Sequence, residues 1–118
     1  MKTALSMLAL ALGVGIIFQG LASGADVAKG KAAFQQYCAS CHGSAGKGDS
    51  PAAAALNPKP RDLSDKTYAA SLKDPYLLQI IKGGGAAVKK SPLMPAIGNT
   101  LKEDQIQDVI AYLRSLAK

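Results

Sequence analysis

The five residues Cys38-Ala39-Ser40-Cys41-His42 constrain this chain of 118 residues more than any other segment. Cys-x-x-Cys-His is the spacing at which haem is attached covalently through two thioethers. Two cysteines on one helical turn can reach both vinyl positions on one haem edge, and the adjacent imidazole can then bind the iron as an axial ligand. The motif therefore predicts covalent haem on Cys38 and Cys41, with His42 as an iron ligand.

A Cys-x-x-Cys pair is also compatible with a structural disulfide, a redox dithiol or half of a zinc site. The chain has two cysteines and one histidine, so zinc would have to recruit carboxylates, which structural zinc seldom does. A thioredoxin-like dithiol needs a βαβ context, whereas residues 26–37 have a helical pattern. A blue-copper site normally takes two histidines. These arguments favour haem.

Residues 1–24 have the pattern of a secretory signal peptide. The segment opens with Lys2, is apolar over residues 4–18, and closes with small residues of the kind that signal peptidase reads. Cleavage after Gly24 and cleavage after Ala25 fit this pattern equally well. Because covalent haem attachment of this type takes place outside the cytoplasm in bacteria, the predicted location is the periplasm.

The alternative for this segment is an uncleaved membrane anchor facing the periplasm. Residues 4–22 approach the roughly 20 apolar residues that span a bilayer. Polar residues and glycines interrupt the stretch, which favours a cleaved signal and no stable membrane insertion afterwards. The interruptions are Ser6, Gly13, Gly15 and Gln19.

Residues 25–118 are long enough for one domain with a small core. The chain has no tryptophan and two phenylalanines, one of them in the signal segment. Protein side chains alone would therefore make a marginal interior. A buried haem supplies the missing apolar bulk.

The formal net charge of the chain is +6 at pH 7. A basic exported protein can favour an acidic partner surface or anionic lipid headgroups, although a generic solvated surface explains the charge equally well. No basic run is longer than Lys89-Lys90, and the predicted compartment is wrong for nucleic acid. Nucleic acid is therefore not a predicted partner.

The two ends of the predicted domain each carry a helical face. From residue 26 to the haem motif, apolar or small residues recur at spacings of three and four, which places them on one face of a helix. These residues are Val27, Gly30, Phe34, Tyr37 and Cys41. Near the C-terminus, Thr100 and Glu103 are spaced as a capping box, which predicts a helix over residues 101–117. Its apolar stripe is Ile106, Val109, Ile110, Leu113 and Leu116.

A shorter helix is predicted between them. Asp74-Pro75 marks its start, and Gly83-Gly84-Gly85 ends it after about eight residues. The Gly- and Pro-rich residues 43–64 indicate an extended loop with a short helical turn near residues 51–56. No stretch alternates at period two, so the predicted fold class is all-α.

With these features in place, the chain resembles the class I monohaem c-type cytochromes of exported bacterial proteins over residues 25–118. In that family a glycine and an aromatic residue lie eight and four positions before the first haem cysteine, as Gly30 and Phe34 do here. They pack against a C-terminal helix at positions matched by Val109 and Tyr112. The resemblance implies crossing terminal helices, with the middle helix and loops wrapped around one haem c.

The resemblance also implies a methionine as the second axial iron ligand, in a loop after the middle helix. Ser91-Pro92-Leu93-Met94-Pro95 matches that pattern, and the other methionines are Met1 and Met7 in the signal segment. Ordinary core filling is the alternative role for Met94. Lys89 and Lys90 are the nearest alternative donors.

Two further family features have several candidates here. A backbone carbonyl, commonly of a proline, should accept a hydrogen bond from the second imidazole nitrogen of His42 and orient the ring. Many relatives also place a tryptophan near a haem propionate, and this chain has none. The candidate prolines are Pro51, Pro58 and Pro60, and the candidate substitutes for the tryptophan are Arg61, Tyr68 and Tyr76.

The resemblance implies a monomeric carrier of one electron, not an enzyme, that cycles haem iron between Fe(III) and Fe(II). Its partners would be a dehydrogenase, an oxidase or another cytochrome, met through a basic surface near Lys47, Lys89 and Lys90. One alternative is a catalytic or sensing haem from which Met94 dissociates to admit peroxide or a gas. Another is a haem subunit docked permanently to a dehydrogenase or oxidase.

Overall fold

The computed structural model describes residues 24–118, so all of the proposed signal segment except Gly24 lies outside the described residues. Residues 24–118 contain five α-helices and two 3-10 helices, with no strand, which confirms the predicted all-α class. The α-helices are α1 (Val27–Tyr37), α2 (Ala39–His42), α3 (Lys66–Ser71), α4 (Asp74–Gly83) and α5 (Glu103–Leu116). The 3-10 helices are Ala52–Ala55 and Gly85–Val88.

Helix α1 begins at a capped end that is also attached to α5. The Asp26 carboxylate accepts a hydrogen bond of 3.0 Å from the Lys29 N–H, which satisfies one of the free amides of the first turn. The Asp26 N–H in turn donates to the Asp108 carboxylate at 2.7 Å. The start of α1 is therefore held against α5 by a polar contact.

The two terminal helices cross at Gly30, as the resemblance implies. A Cβ atom at this position would lie 1.9 Å from the Asp108 carbonyl oxygen. Phe34, one turn later, is 1% exposed, and its ring centroid lies 5.3 Å from that of Tyr112. Only a glycine permits this approach of two helix backbones.

Most of the core belongs to α5. Ile106 and Val109 are each 1% exposed, and they form one cluster with the buried residues of α1 and α4. In α4 these are Leu77 and Ile81, one helical turn apart. The stripes that the sequence predicts on α4 and α5 are therefore the faces that meet.

The start of α5 differs from the prediction. The helix begins at Glu103, with Lys102 as its N-cap, and the Gln105 side chain accepts a hydrogen bond of 2.9 Å from the Lys102 N–H. The predicted capping box of Thr100 and Glu103 is therefore wrong. Thr100 and Leu101 instead belong to a turn in which both N–H groups donate to the Ile97 carbonyl at 2.9 Å.

The middle of the chain contains one helix that the sequence predicts and two short ones that it does not. Helix α4 starts at Asp74 and ends at Gly83, as expected, and has ten residues instead of about eight. Helix α3, of six residues, was not predicted; it begins where the Asp65 carboxylate accepts from the Tyr68 N–H at 2.7 Å. The 3-10 helix Ala52–Ala55 confirms the predicted turn, whereas Gly85–Val88 is an addition.

The crossing contact predicts that Gly30→Ala destabilises the protein. In an ordinary helix interior this change would stabilise by roughly 0.5–1 kcal/mol. Here the added Cβ would overlap a backbone carbonyl, and overpacking of this kind costs about 1–3 kcal/mol or more. We expect a lower urea midpoint for Gly30→Ala. Ala32→Ser, which adds one atom at an exposed residue of the same helix, is the control; stabilisation by Gly30→Ala would contradict the contact.

Candidate functional site

An open cleft of about 580 Å3, part of it continuous with solvent, lies between the helices. The lining is apolar except at a few positions, where polar or sulfur-containing side chains reach it. The lining residues are Phe34, Cys38, His42, Arg61, Leu63, Tyr68, Leu72, Tyr76, Leu77, Ile80, Ile81, Met94, Val109 and Leu113.

The Cys-x-x-Cys-His segment reaches this cleft because α1 runs almost directly into α2. The Cys38 N–H donates to the Phe34 carbonyl at 2.8 Å, and the His42 N–H donates to the Cys38 carbonyl at 2.9 Å. Gly43, with φ of +83°, then ends the turn. Cys38 and His42 line the cleft, and Cys41, which is half-buried, lies on the same helical turn. No disulfide joins the two cysteines.

Burial shifts two pKa values in this segment. It raises the pKa of the Cys38 thiol to about 11, and the neighbouring Cys41 adds to the effect. Burial also lowers the pKa of His42, which favours the neutral imidazole. A neutral imidazole is the form that donates a nitrogen lone pair to a metal.

His42 Nδ1 is buried and has no hydrogen-bond partner among the described residues. None of the three candidate prolines, Pro51, Pro58 and Pro60, therefore accepts a hydrogen bond from this ring in the structure. The Pro60 carbonyl is packed elsewhere, since a Cβ atom on Gly48 would lie 2.1 Å from its oxygen. Buried polar atoms normally have partners, so this nitrogen marks a position where the site needs a further interaction.

Met94 is brought to the same cleft from a distant part of the chain. It is half-buried and packs against the core cluster. Its backbone is held on both sides: the N–H donates to the Ser91 carbonyl at 3.3 Å, and the carbonyl accepts from the Gly85 N–H at 3.0 Å. The structure thus places Met94, Cys38 and His42 around one apolar space.

All three residues considered as substitutes for the absent tryptophan line the cleft. The guanidinium carbon of Arg61 lies 4.3 Å from the centroid of the Tyr68 ring, which is a cation–π contact. Arg61 is exposed to solvent, whereas Tyr68 and Tyr76 are half-buried. One cation and two phenol groups therefore border an otherwise apolar wall.

The three lysines of the predicted basic surface are exposed and lie outside the cleft lining. Lys89 has φ of +57°, in the left-handed region, and ends the 3-10 helix Gly85–Val88. Leu93, between these lysines and Met94 in the sequence, is 60% exposed. The stretch that carries Met94 therefore also carries Lys89 and Lys90, while Lys47 lies on the loop after α2.

Arg114 of α5 holds the wall of the cleft formed by α3 and α4, and sequence patterns gave no sign of this role. Its guanidinium donates to the Ala69 carbonyl at 2.6 Å, to the Leu72 carbonyl, and to the Asp74 carboxylate at 2.6 Å. Carbonyls at the end of a helix lack their usual helical partner. Arg114 supplies a donor to the Leu72 carbonyl and a second donor to the Ala69 carbonyl, which also accepts from the Leu72 N–H at 3.2 Å. Tyr68 and Tyr76 lie on the two helices that it joins.

The cleft and the motif agree with comparison to known proteins. Residues 27–117 match the family model described as "Cytochrome c", and the chain belongs to the cytochrome c family. It is also 32% identical, over 93 residues, to the protein named "Cbb3-type cytochrome c oxidase subunit FixP" of Bradyrhizobium diazoefficiens. That match covers 79% of this chain and 28% of the relative, so the chain spans just over a quarter of that protein's length.

Family membership implies covalently bound haem c and haem-based electron transfer. The described residues fit such a group, because the cleft is largely apolar and is bordered by a thiol, a neutral imidazole and a thioether. The unpartnered nitrogen of His42 adds a second, independent sign that the ring is placed for an interaction beyond this chain's own side chains. Within residues 24–118, no helix has the length and hydropathy to cross a bilayer.

The Arg114 contacts predict a stability difference between two substitutions. Arg114→Met keeps most of the side-chain length but removes one donor from each of two carbonyls. The Ala69 carbonyl keeps the Leu72 N–H at 3.2 Å, whereas the Leu72 carbonyl loses the donor that Arg114 supplies, at about 1–3 kcal/mol. Asp74→Asn removes only a largely exposed ion pair, worth roughly 0–1 kcal/mol. Urea unfolding of the haem-containing variants measures both. Equal losses for the two variants would show that the ion pair, not the carbonyl contacts, holds the wall.

Proposed function

We propose that residues 25–118 form an exported periplasmic carrier of single electrons, released by cleavage after Gly24 or Ala25. Cys38 and Cys41 would hold one haem c through thioethers, and His42 and Met94 would be its axial ligands. The single observation that carries this proposal is the convergence of Cys38, His42 and Met94 on one apolar cleft. Their convergence is informative because Met94 lies far from the other two in sequence.

Each residue has a defined task in this proposal. The bound haem supplies the one-electron couple between Fe(III) and Fe(II). His42 offers a neutral nitrogen donor, and Met94 offers a soft thioether. The apolar wall excludes water and so favours the less charged state of the centre, which raises its reduction potential. If His42 and Met94 both bind the iron, the protein would leave no position open for a substrate, which is why a carrier is favoured over an enzyme.

Arg61, Tyr68 and Tyr76 suit the polar edge of the same group. Haem carries two propionates, and a guanidinium with two phenol groups can pair with carboxylates by charge-assisted hydrogen bonds. The stacking of Arg61 on Tyr68 orients the guanidinium before a carboxylate arrives. These three side chains would take the place near the propionates that a tryptophan occupies in many relatives.

A second candidate function follows from the similarity to a relative named as an oxidase subunit. In that case this domain would deliver electrons while docked permanently to a dehydrogenase or oxidase. The candidate differs from a diffusing carrier in its kinetics, because a docked domain does not meet its acceptor by diffusion. For the diffusing carrier we assign the meeting surface to Lys47, Lys89 and Lys90, with the protein as a monomer.

The ligand assignment predicts a spectroscopic change in Met94→Leu. The oxidised protein should show the weak far-red absorption band of methionine-ligated ferric haem, and this substitution should abolish it while the Soret band remains. The reduced variant should then bind carbon monoxide, because one axial position is open. Leu93→Ala, at the exposed neighbour, is the control. A far-red band that persists in Met94→Leu would refute Met94 as the ligand.

The surface assignment predicts slower electron delivery after charge reversal. The double variant Lys89→Glu with Lys90→Glu should lower the association rate with respiratory membranes of the source organism by roughly tenfold or more at low salt. The difference should shrink as ionic strength rises. Lys31→Glu with Lys102→Glu, an equal change at other exposed lysines, is the matched control. Rates that depend on neither salt nor variant would favour the docked subunit.

A further inference from the structure

The stretch that carries Met94, here called the Met94 loop (residues 86–97), is closed at its base by backbone hydrogen bonds to the end of α4. The Ile97 N–H donates to the Ile81 carbonyl and the Gly98 N–H to the Lys82 carbonyl, both at 3.0 Å. These bonds use helix-terminal carbonyls that would otherwise lack partners. The returning arm of the loop is thus attached to α4.

Gly85 is bonded to both arms of this loop. Its N–H donates to the Met94 carbonyl at 3.0 Å, and its carbonyl accepts from the Lys90 N–H at 2.8 Å. One residue therefore bridges the outgoing arm, at Lys90, and the returning arm, at Met94. The position of the Met94 backbone is fixed directly by Gly85.

The packing at Gly85 requires the absence of a side chain. A Cβ atom there would lie 1.9 Å from the Ser91 carbonyl oxygen, whereas ordinary contacts begin near 3.4 Å. The Ser91 carbonyl also accepts the Met94 N–H, so any shift of Ser91 is passed on to Met94. Gly85 does not have a positive φ, and the requirement is therefore steric alone.

Gly84 adds a separate requirement next to it. Its φ of +76° and ψ of 177° lie in a region that only glycine populates readily. A Cβ atom at Gly84 would also lie 2.8 Å from the Met94 carbonyl oxygen. The chain thus turns at Gly84 and presents Gly85 to the loop.

We propose that Gly85 is a positioning residue for Met94, and that its close contact with Ser91 sets how far the Met94 side chain extends towards His42. This inference rests on the proposed role of Met94 as the iron ligand. The side chain of Met94 has packing partners in the core, but its backbone depends on the base of the loop. A change confined to that base should therefore affect methionine ligation and leave Cys38, Cys41 and His42 in place.

The test is Gly85→Ala in the full chain, matured with haem in the bacterial periplasm. We expect the far-red band, normalised to covalently attached haem, to fall by roughly tenfold, because a rigid overlap forces Ser91 and Met94 to move. Carbon monoxide should bind the reduced variant, while the Soret band and thioether attachment are retained. Ala86→Ser, which adds one atom at the exposed next residue, should leave the band and carbon monoxide exclusion unchanged.

The outcomes separate this inference from the function on which it rests. A far-red band in the unmodified protein that survives in Gly85→Ala overturns the role of Gly85 and leaves Met94 ligation intact. No such band in the unmodified protein overturns Met94 ligation itself. If Gly85→Ala yields no haem protein, Gly98→Ala decides, since its Cβ would lie 2.7 Å from the Lys82 carbonyl at the other end of the base. A reduced band there supports positioning by the loop base, and an unchanged band overturns it.

Discussion

The approach of α1 to α5 at Gly30 is the contact on which the rest of the structure depends. Because α1 continues into the Cys38 turn with only a short break, the crossing also fixes where the thiols and His42 lie. Phe34 belongs both to the helix crossing and to the site, because it is buried against Tyr112 of α5 and its ring centroid is 6.4 Å from that of His42. The core and the site therefore share one side chain, and a shift of the helix crossing would move both.

The cleft is assembled by interactions of two kinds. On the α1–α2 side the chain is locally ordered, with hydrogen bonds between residues a few positions apart. On the other side, α3 and α4 are joined by Arg114, and the Met94 loop is held by the end of α4. The α1–α2 side requires little loop closure, whereas the side formed by α3, α4 and the Met94 loop loses more conformational entropy because longer segments are closed. Polar and backbone contacts offset that cost where apolar burial is incomplete.

The sequence predicted those features that have a repeating apolar pattern or a short motif of fixed spacing. The stripes of α1, α4 and α5 span enough turns for their period to be recognised, and Gly30 was understood through helix packing. The missed features are short or non-local. Helix α3 has too few residues to show a period, the start of α5 depends on Lys102 and Gln105 instead of the capping box, and the bonds of Arg114 join residues some forty positions apart. An apolar cleft could be predicted from the sequence, but most of the residues that line it could not.

The two proposed iron ligands, His42 and Met94, are held by different kinds of contact. His42 lies on the same helical turn as Cys38. In the proposed site, Cys38 and Cys41 would attach this turn to the haem through two thioether bonds. Met94 depends on a loop with two exposed lysines and an exposed leucine, whose attachment consists of a few backbone hydrogen bonds and glycine contacts. Local opening draws on the least stable contacts first, so we expect the loop to open before the helices separate. The same exposure makes the loop accessible to a partner, and the proposed docking lysines and the proposed methionine ligand lie on one segment. Backbone hydrogen bonds of Gly85 connect Lys90 with Met94, whereas no such bond connects this loop with the helix turn that carries His42 among the described residues.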